Sequence, residues 1–347
     1  MRVFCPIVAG SGVEIFHHRL RQGLTRLGVT TEISSFSPLW EYFPWGLSKA
    51  VRPPQMPGGV CDVLHTNVDY GSLLRIKGIP FVVTLHHSTV DEDYLEALPW
   101  AVRCHHRWLL KPFVIKTLGL ADQLAADSCY SRDSFCEMIQ QDLPIPVIYS
   151  GVDTNCFKPQ SKSDDTCGPI VLFFSGNWSF RKGADLLEPV MKQLGQDFLL
   201  QYTSGLRQAR AAPITGPNIR FLGRLSEIEL VQAINESDIA LQPSRREGFG
   251  LSILEAMACG KPVVSTLSSA IPEVVQNGKG GLLCEPSSIS ELVTAVRKLA
   301  QSKKLREDMG NYNRQAVLQR FNLDQMATQY LKLYSRSMSE FSVRLSR

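Results

Sequence analysis

The sequence predicts an α/β protein of two domains, each built on a parallel β-sheet. The chain has 347 residues, which is long for a single hydrophobic core. Short apolar runs alternate with segments of helical period, a pattern typical of parallel strands joined by crossover helices. This alternation begins again after a polar stretch near the middle of the chain, so we expect a second α/β domain there.

The composition is that of a globular protein, with 44% hydrophobic and 20% charged residues. The formal net charge of +4 is too small for the clustered basic surface that nucleic-acid binding usually requires. The nine cysteines show no Cys-x-x-Cys spacing, so the pattern predicts neither a disulfide framework nor a zinc site. The apolar run at residues 3–8 is too short for a signal peptide or a membrane span. We therefore expect a cytoplasmic protein without a nucleic-acid partner.

The apolar runs give the predicted strands and the domain limits. In the first domain the strands are predicted at residues 3–8, 62–65, 80–85, 123–126 and 147–149, and in the second at 169–176, 198–202, 219–222, 239–242 and 262–265. The domains are predicted at residues 1–152 and 153–329, with a linker candidate at 153–168 that contains the polar stretch 161–166. An amphipathic helix from Leu323 ends the chain. It could pack on either domain. In the predicted domain limits, residues from about 330 to 347 pack back on the first domain.

The segment at residues 243–264 combines a glycine turn, a helix start and two carboxylates. Gly248 and Gly250 let the backbone approach a ligand closely, and the start of the helix predicted at 251–259 suits a phosphate. Glu247 lies on the loop and Glu255 inside the helix, where ionised carboxylates would accept hydrogen bonds from sugar and ribose hydroxyls. The alternative is that Glu247 is a loop charge and Glu255 a solvated helix residue.

The same segment resembles the signature of the retaining glycosyltransferase family 4. The matching residues are Pro243-Ser244, Glu247-Gly248-Phe249-Gly250-Leu251, Glu255-Ala256-Met257-Ala258, Gly260 and Pro262-Val263-Val264. Further blocks similar to the family lie at 121–128, 150–159, 221–226 and 271–281, and the resemblance covers roughly residues 1–335. The resemblance implies the GT-B fold, in which two Rossmann-like domains with parallel sheets face each other across a cleft.

The resemblance also implies roles for these residues. Glu247 would contact the donor sugar and Glu255 the ribose hydroxyls, while the backbone of Gly248, Phe249, Gly250 and Leu251 would meet the diphosphate. In the family, basic side chains and not a metal stabilise the charge on the departing diphosphate. We therefore expect no metal or other cofactor. The expected partners are a nucleoside-diphosphate sugar and a glycan or lipid-linked acceptor.

The phosphate-binding pattern departs from the family at one position. The family has Gly-Arg-Leu-x-x-x-Lys-Gly, and this chain has Gly176-Asn177-Trp178-Ser179-Phe180-Arg181-Lys182-Gly183. Lys182 keeps the lysine place, whereas Asn177 takes the arginine place. Three interpretations stay open: Arg181 or another arginine substitutes, Lys182 and the helix start suffice, or activity is lost. The alternative for Arg181 and Lys182 is an exposed basic turn without a ligand.

Two features of the first domain resemble the family more loosely. Gly12, in the loop Gly10-Ser11-Gly12 after the first strand, matches a glycine-rich loop near the donor phosphate. A dinucleotide fingerprint fails because its third glycine would fall at Ile15, and this disfavours a nicotinamide oxidoreductase. His86 ends Thr84-Leu85-His86 and matches a histidine beside the transferred sugar, with a merely structural role as the alternative. The pairs His17-His18 and His105-His106 are predicted to be surface or packing residues.

Two stretches are candidates for contact with the acceptor or a membrane. The aromatic residues Trp40, Tyr42, Phe43 and Trp45 form either an apolar platform for a sugar or lipid tail, or part of the core. The positions Arg103, Arg107 and Lys111 are four apart and share one helix stripe. A basic amphipathic helix binds anionic membranes, whereas the alternative is a crossover helix with a solvated face.

These features together predict a transfer reaction. We expect a hexose-type sugar to move from a nucleoside-diphosphate donor to a hydroxyl, with retention inferred from the family. His86, Glu247 and Lys182 are the predicted catalytic residues, and Gly12, Asn177 and Arg181 join the donor site. The expected setting is polysaccharide or glycolipid synthesis for the cell envelope, at the inner face of the membrane. The alternative is a catalytically weakened sugar-nucleotide-binding protein of the same fold.

Overall fold

The computed structural model describes residues 1–57, 59–96, 98–160, 168–205 and 214–346. It divides into two compact units, one formed by Met1–Gly151 with Leu323–Arg347 and the other by Val152–Asn322. The polar stretch predicted as the linker, 161–166, lies outside the described residues, and 153–160 belong to the second unit. The chain returns to the first unit at Leu323 and not near residue 330, so the whole C-terminal helix belongs there.

The first unit contains a parallel sheet. Its strands are β1 (Arg2–Val8), β2 (Thr30–Phe36), β3 (Val63–Asn67), β4 (Phe81–Leu85) and β5 (Gln123–Ala126). Among the described residues they form five strands in the order β2-β1-β3-β4-β5, with every pair parallel. All residues of β3 and β4 are buried, as expected for central strands of a parallel sheet that is covered on both faces.

The helices of the first unit connect these strands. They are α1 (Gly12–Arg26), α2 (Leu47–Ala50), α3 (Gly71–Leu74), α4 (Glu92–Glu96), α5 (Trp100–Cys104), α6 (Lys111–Leu120) and α7 (Cys129–Ile139). A π-helical segment, His105–Leu110, joins α5 to α6, so the predicted helix of this region is continuous but not uniformly α-helical. Ser11 and Ser128 cap α1 and α7, since each side chain accepts a hydrogen bond from a backbone N–H of the first turn.

The second unit contains the other parallel sheet. Its strands are β6 (Ile170–Phe174), β7 (Phe198–Tyr202), β8 (Ile219–Phe221), β9 (Ile239–Leu241), β10 (Val263–Thr266) and β11 (Gly281–Cys284). The described strands follow the order β11-β10-β9-β6-β7-β8, which is the doubly wound Rossmann order. The strand order reverses between β6 and β9, and ligands of such sheets bind at the carboxyl ends of the strands at this switch point.

The helices of the second unit and the C-terminal helix complete the fold. They are α8 (Leu187–Leu194), α9 (Glu227–Glu236), α10 (Leu251–Ala258), α11 (Ile271–Val274), α12 (Ile289–Ala300), α13 (Lys303–Arg320) and α14 (Leu323–Leu345). Ser226 and Glu229 form a capping box at α9, and Gly260 follows α10 with a φ of +71° that suits a helix end. No helix in the described part of the chain is long and apolar enough to cross a membrane.

Helix α14 joins the first unit through its apolar stripe. Met326, Ala327, Tyr330 and other residues of this stripe are buried in one cluster with apolar residues of α1 and the sheet. The two helices approach closely at Gly23, where an added Cβ would lie 2.9 Å from Ala327 Cβ. Burial of this stripe removes its apolar side chains from water. The sequence predicted the stripe but not the surface that covers it.

The sequence prediction is wrong for three strands. Residues 147–149 form no strand, because only Val147 makes a single bridge, to Ala126. Strand β2 was not predicted, since it lies at the sheet edge and five of its seven residues are polar. Strand β11 was also missed, because its four residues follow directly on a glycine-rich turn.

Candidate functional site

Two loops meet at the switch point of the second sheet. One loop follows β6 and carries Arg181 and Lys182, and the other follows β9 and carries Glu247. The backbone N–H of Arg245 donates to the Arg181 carbonyl at 2.8 Å, which joins the loops directly. Gly183 makes this approach possible: its φ is +66°, and an added Cβ would lie 2.0 Å from the Pro243 carbonyl oxygen.

A buried ion-pair cluster occupies this position. Lys182 Nζ lies 2.6 Å from Glu247 Oε1, and Arg181 Nη1 lies 3.3 Å from Glu247 Oε2. Ser244 Oγ also donates to Glu247 Oε1, at 2.7 Å. The side chain of Glu247 is 5% exposed and that of Lys182 is 12% exposed. Glu247 is therefore not a solvated loop charge, and Lys182 is not part of an exposed basic turn.

The charges in this cluster shift each other's ionisation. Burial raises the pKa of Glu247, but the positive charges of Lys182 and Arg181 outweigh it, so the pKa lies below its ordinary value. Burial lowers the pKa of Lys182, and the attraction of Glu247 offsets only part of this effect because Arg181 repels the ammonium. Glu247 is thus a carboxylate at neutral pH, held by two cationic side chains.

Four hydroxyl side chains at the end of β10 and directly after it hold the loop that carries Glu247. Ser265, Thr266 and Ser268 donate to the carbonyls of Gln242, Ser244 and Arg245 in turn, and Ser269 Oγ accepts from the Glu247 N–H at 2.7 Å. Ser269 has a φ of +50°, a left-handed backbone conformation that is uncommon for serine. Sequence reasoning missed these contacts, although four hydroxyl residues within five positions at the end of a buried strand could have indicated them.

Helix α10 places the second carboxylate. Glu255 lies in this helix and is buried, so the alternative of a solvated helix residue is wrong. Its negative charge acts on Lys182 and raises the pKa of that lysine, which places Glu255 near the same cluster. Gly250 begins the helix with a φ of +98°, and Gly248, Phe249 and Gly250 are all buried before it. Leu251 is the first residue of α10.

Asn177 and Arg181 occupy different surroundings. An added Cβ on Gly205 would lie 1.9 Å from Asn177 Oδ1, so the Asn177 side chain lies against this glycine. The Arg181 guanidinium donates both to the Arg246 carbonyl, at 3.0 Å, and to Glu247. Arg181 is thus the arginine beside Lys182 and Glu247, although Asn177 takes the arginine place in the sequence pattern.

In the first unit, His86 and Gly12 follow the carboxyl ends of strands. His86 comes directly after β4 and lies next to Asp127, which comes directly after β5. His86 Nδ1 is 2.9 Å from Asp127 Oδ2, and the two side chains are 15% and 5% exposed. Gly12 is exposed and is the first residue of α1, which follows β1. Sequence reasoning missed Asp127, even though its place after a strand next to β4 could have indicated it.

One group of potential metal ligands lies within the described part of the first unit. Cys5, His17 and His65 each offer a ligand atom within 4.8 Å of the others. The His65 ring nitrogens already lie 2.7 Å from the hydroxyls of Thr84 and Tyr334. Burial raises the pKa of the Cys5 thiol and lowers the pKa of His17 to about 3, so the thiol keeps its proton and the imidazole is neutral. The three side chains are buried in the core of the unit, where His17 and His65 make hydrogen bonds within the protein.

The aromatic residues and the basic stripe, which were candidates for contact with the acceptor or a membrane, differ in exposure and in their partners. Tyr42, Phe43 and Trp45 are exposed, so core packing is the wrong interpretation for these three. Trp40 is partly buried and packs against the core of the first unit. In the basic stripe, Arg107 and Lys111 both pair with Glu92, and Arg103 donates to the carbonyls of residues 96 and 98.

The fold and the site define a two-domain Rossmann-like α/β protein with a charged cluster at a switch point. The family of glycosyl transferases group 1 matches residues 158–316. The chain is 26% identical over 309 residues to MMP alpha-(1->4)-mannosyltransferase of Mycolicibacterium hassiacum, across 81% of this chain and 72% of that protein. It is also 26% identical over 309 residues to a glycogen synthase of Mycobacterium tuberculosis, across 83% and 70%.

A solved structure shares the fold over almost the whole length. Sucrose-phosphate synthase from Thermosynechococcus elongatus superimposes with a TM-score of 0.80 at 18% identity, across 98% of this chain and 100% of that chain. Residues 158–316 therefore match the glycosyl transferases group 1, and the two Rossmann-like units have the fold of the GT-B glycosyltransferases. It is an enzyme that transfers a sugar.

Proposed function

We propose that this enzyme moves a hexose-type sugar from a nucleoside-diphosphate sugar to a hydroxyl acceptor, with retention at the anomeric carbon. One observation carries the proposal: Lys182 and Arg181 meet the buried carboxylate of Glu247 at the switch point of a Rossmann sheet. Cations at this position neutralise a diphosphate, and a carboxylate accepts hydrogen bonds from sugar hydroxyls. Anabaena HepE, which has a TM-score of 0.74 and 19% identity across 97% of this chain and 100% of that chain, was solved in complex with UDP-glucose.

The donor would lie along the start of α10. In this proposal the N–H groups of Phe249, Gly250 and Leu251 meet the diphosphate, because the first N–H groups of a helix have no partner within it. Glu255 binds the ribose hydroxyls and Glu247 binds the sugar. Gly248 and Gly250 keep the backbone open to close approach. Asn177 lies on the loop after β6, which also carries Lys182, and supplies no charge.

The proposed chemistry needs no covalent intermediate with the enzyme. The bond between the anomeric carbon and the departing phosphate oxygen breaks, and the acceptor oxygen attacks from the same face. The acceptor's proton passes to the departing phosphate. Lys182 and Arg181 stabilise the negative charge that develops there, so we propose that no metal or other cofactor takes part. Glu247 orients the sugar in this scheme. For His86 and Gly12 we propose contact with the substrate, as their motifs predict.

We also propose that the acceptor is a glycan or a lipid-linked glycan, used in polysaccharide or glycolipid synthesis for the cell envelope. The exposed side chains of Tyr42, Phe43 and Trp45 support contact with a membrane surface, since aromatic rings favour the lipid–water interface. The basic stripe supports it less, because Glu92 pairs with two of its charges.

Co-sedimentation with phosphatidylglycerol vesicles tests the membrane contact. We expect the enzyme to bind, and the double change Phe43→Ser and Trp45→Ser to weaken binding, whereas Val343→Ser, at an exposed position on α14, leaves it unchanged. Absence of binding at low salt would argue against this part of the proposal.

A thermal-shift screen tests the donor. The panel contains UDP-glucose, UDP-galactose, UDP-N-acetylglucosamine, GDP-mannose and ADP-glucose, with the free diphosphates, since a ligand of the folded state raises the melting temperature. We expect one sugar nucleotide to stabilise the enzyme and to release its diphosphate when an acceptor is present. Binding without release would instead indicate a catalytically weakened sugar-nucleotide-binding protein.

A further inference from the structure

Asp127 and His86 are placed side by side by the sheet register. Strands β4 and β5 are parallel neighbours, and Leu85 pairs with Ala126. His86 follows β4 and Asp127 follows β5, so the two residues lie at the same edge of the sheet. The Asp127 N–H donates to the Leu85 carbonyl at 3.0 Å, so the backbone of the two loops is held together before the side chains meet.

The contact between these side chains determines which ring nitrogen of His86 carries a proton. Asp127 Oδ2 lies 2.9 Å from His86 Nδ1. A carboxylate only accepts hydrogen bonds, so Nδ1 is the donor, and Nε2 of a neutral ring keeps its lone pair. The ring of Phe16 meets the imidazole edge-on with centroids 4.6 Å apart, which restricts rotation of the ring.

The second nitrogen of His86 is buried and has no hydrogen-bond partner among the described residues. A buried acceptor that is left without a hydrogen bond destabilises the protein. His65 uses both of its ring nitrogens, with the hydroxyls of Thr84 and Tyr334. Nε2 of His17 is also without a partner among the described residues, but His17 is fully buried, whereas the His86 side chain is 15% exposed. The arrangement at His86 instead leaves one acceptor for a ligand hydroxyl.

We infer that Asp127 is a positioning residue: it holds His86 as the Nδ1–H tautomer, so that Nε2 accepts a hydrogen bond from a hydroxyl of the bound sugar. This inference rests on the proposed function. The substrate partner is a hydroxyl and not a phosphate or carboxylate, because a lone pair on nitrogen accepts a hydrogen bond and repels an anion. Asp127 acts through His86 and does not itself touch the sugar.

The first test needs no substrate. Long-range proton–nitrogen NMR of protein with 15N-labelled histidine, assigned with His86→Gln, reports which nitrogen of His86 carries the proton. We expect the Nδ1–H form in the wild-type enzyme and its partial or complete loss in Asp127→Ala. An Nε2–H form in the wild-type enzyme would overturn the inference, and this result does not depend on finding the donor.

The second test is kinetic and uses whichever sugar nucleotide of the screen gives turnover. We expect Asp127→Asn to lower kcat by about 10- to 100-fold while KM for the donor changes much less. In a His86→Gln background the same change should have no further effect, because Asp127 would have nothing to position. Asp62→Asn is the matched control, since Asp62 pairs with Arg2 elsewhere in the unit.

The outcomes separate the two proposals. If the wild-type enzyme is active and Asp127→Asn leaves kcat unchanged, the role of Asp127 is contradicted and the proposed function stays intact. The same holds if Asp127→Asn lowers kcat equally in the wild-type and His86→Gln enzymes. Absence of turnover in the wild-type enzyme would count against the proposed function, while the NMR measurement still decides the tautomer.

Discussion

The ammonium of Lys182 lies 2.6 Å from Oε1 of Glu247, although the two residues are 65 positions apart in the chain. Each follows a strand, and β6 and β9 are neighbours at the point where the order of the sheet reverses. The pair therefore forms where a Rossmann sheet binds its ligand. Glu247 already holds the Lys182 side chain in place. A bound diphosphate would therefore share the Lys182 ammonium with this carboxylate.

Replacing Lys182 with alanine is expected to weaken binding of the sugar nucleotide by about 10- to 100-fold, since hydrogen bonds to charged groups contribute roughly 1.5–3 kcal/mol. Isothermal titration with the nucleotide found in the screen measures the change. Lys298→Ala is the control, because Lys298 is exposed on α12 and lies in the same unit. An unchanged affinity in Lys182→Ala would remove this lysine from the site.

The stability of the Glu247 cluster should depend on pH. The folded-state pKa of Glu247 lies below the ordinary value of 4.5, so its ionised form stabilises the fold above that pH and loses this effect as the pH falls through the folded-state value. Glu247→Gln should therefore lower the free energy of unfolding at neutral pH, by about 3–5 kcal/mol for a broken buried pair. Denaturant unfolding should show the difference shrinking below pH 4.5.

The matched control for this pH series is Glu188→Gln, because Glu188 is exposed on α8. Its effect on the free energy of unfolding should be small at every pH. If Glu247→Gln destabilised the protein equally at acid and neutral pH, the loss would come from packing and not from charge.

The two carboxylates of the site should have separable roles. Glu255→Ala is expected to weaken binding of the free nucleoside diphosphate about tenfold or more, because a charge-assisted hydrogen bond to the ribose would be lost. Glu247→Ala should chiefly lower kcat, since we place Glu247 at the sugar. Titration with the diphosphate and steady-state kinetics measure both effects, and equal losses of diphosphate affinity would contradict this division.

Ser269 offers a test of how the loop positions Glu247. Both Ser269→Gly and Ser269→Ala remove the hydroxyl that accepts from the Glu247 N–H, so both should lower kcat to a similar degree. Their stabilities should differ by roughly 1–2 kcal/mol in favour of glycine, because alanine keeps the strain of a φ of +50°. Thermal unfolding and kinetics of the pair separate strain from hydrogen bonding. Full activity in both variants would show that the hydroxyl is dispensable.

Gly183 tests the close approach of the two loops. Gly183→Ala should destabilise the protein more than Gly278→Ala, although both glycines have positive φ values. An alanine at 278 meets no atom within 4 Å and costs about 1–2 kcal/mol through its backbone alone. At 183 the methyl group collides with the Pro243 carbonyl, which adds roughly 1–3 kcal/mol. Similar melting temperatures would contradict the close contact.

Much of the fold could be predicted from local patterns. The buried strands β3, β4, β5, β6 and β7 were predicted within about two residues of their observed limits, because short apolar runs between turn residues define buried parallel strands. Edge strand β2 was not predicted, because five of its seven residues are polar and the strand pairs along one side only. The prediction of an amphipathic helix from Leu323 is confirmed. Its apolar stripe did not indicate which surface of the protein covers it.

The sequence by itself determined the class of fold and the residue types of the site, since glycine turns, apolar runs and the spacing of Glu247 and Glu255 are local features. The tertiary structure decided which of these side chains meet. It placed Arg181 at Glu247 despite Asn177 in the arginine position, and it set Asp127 beside His86. Such contacts depend on strand order and register, which join residues far apart in the chain and cannot be derived from local spacing.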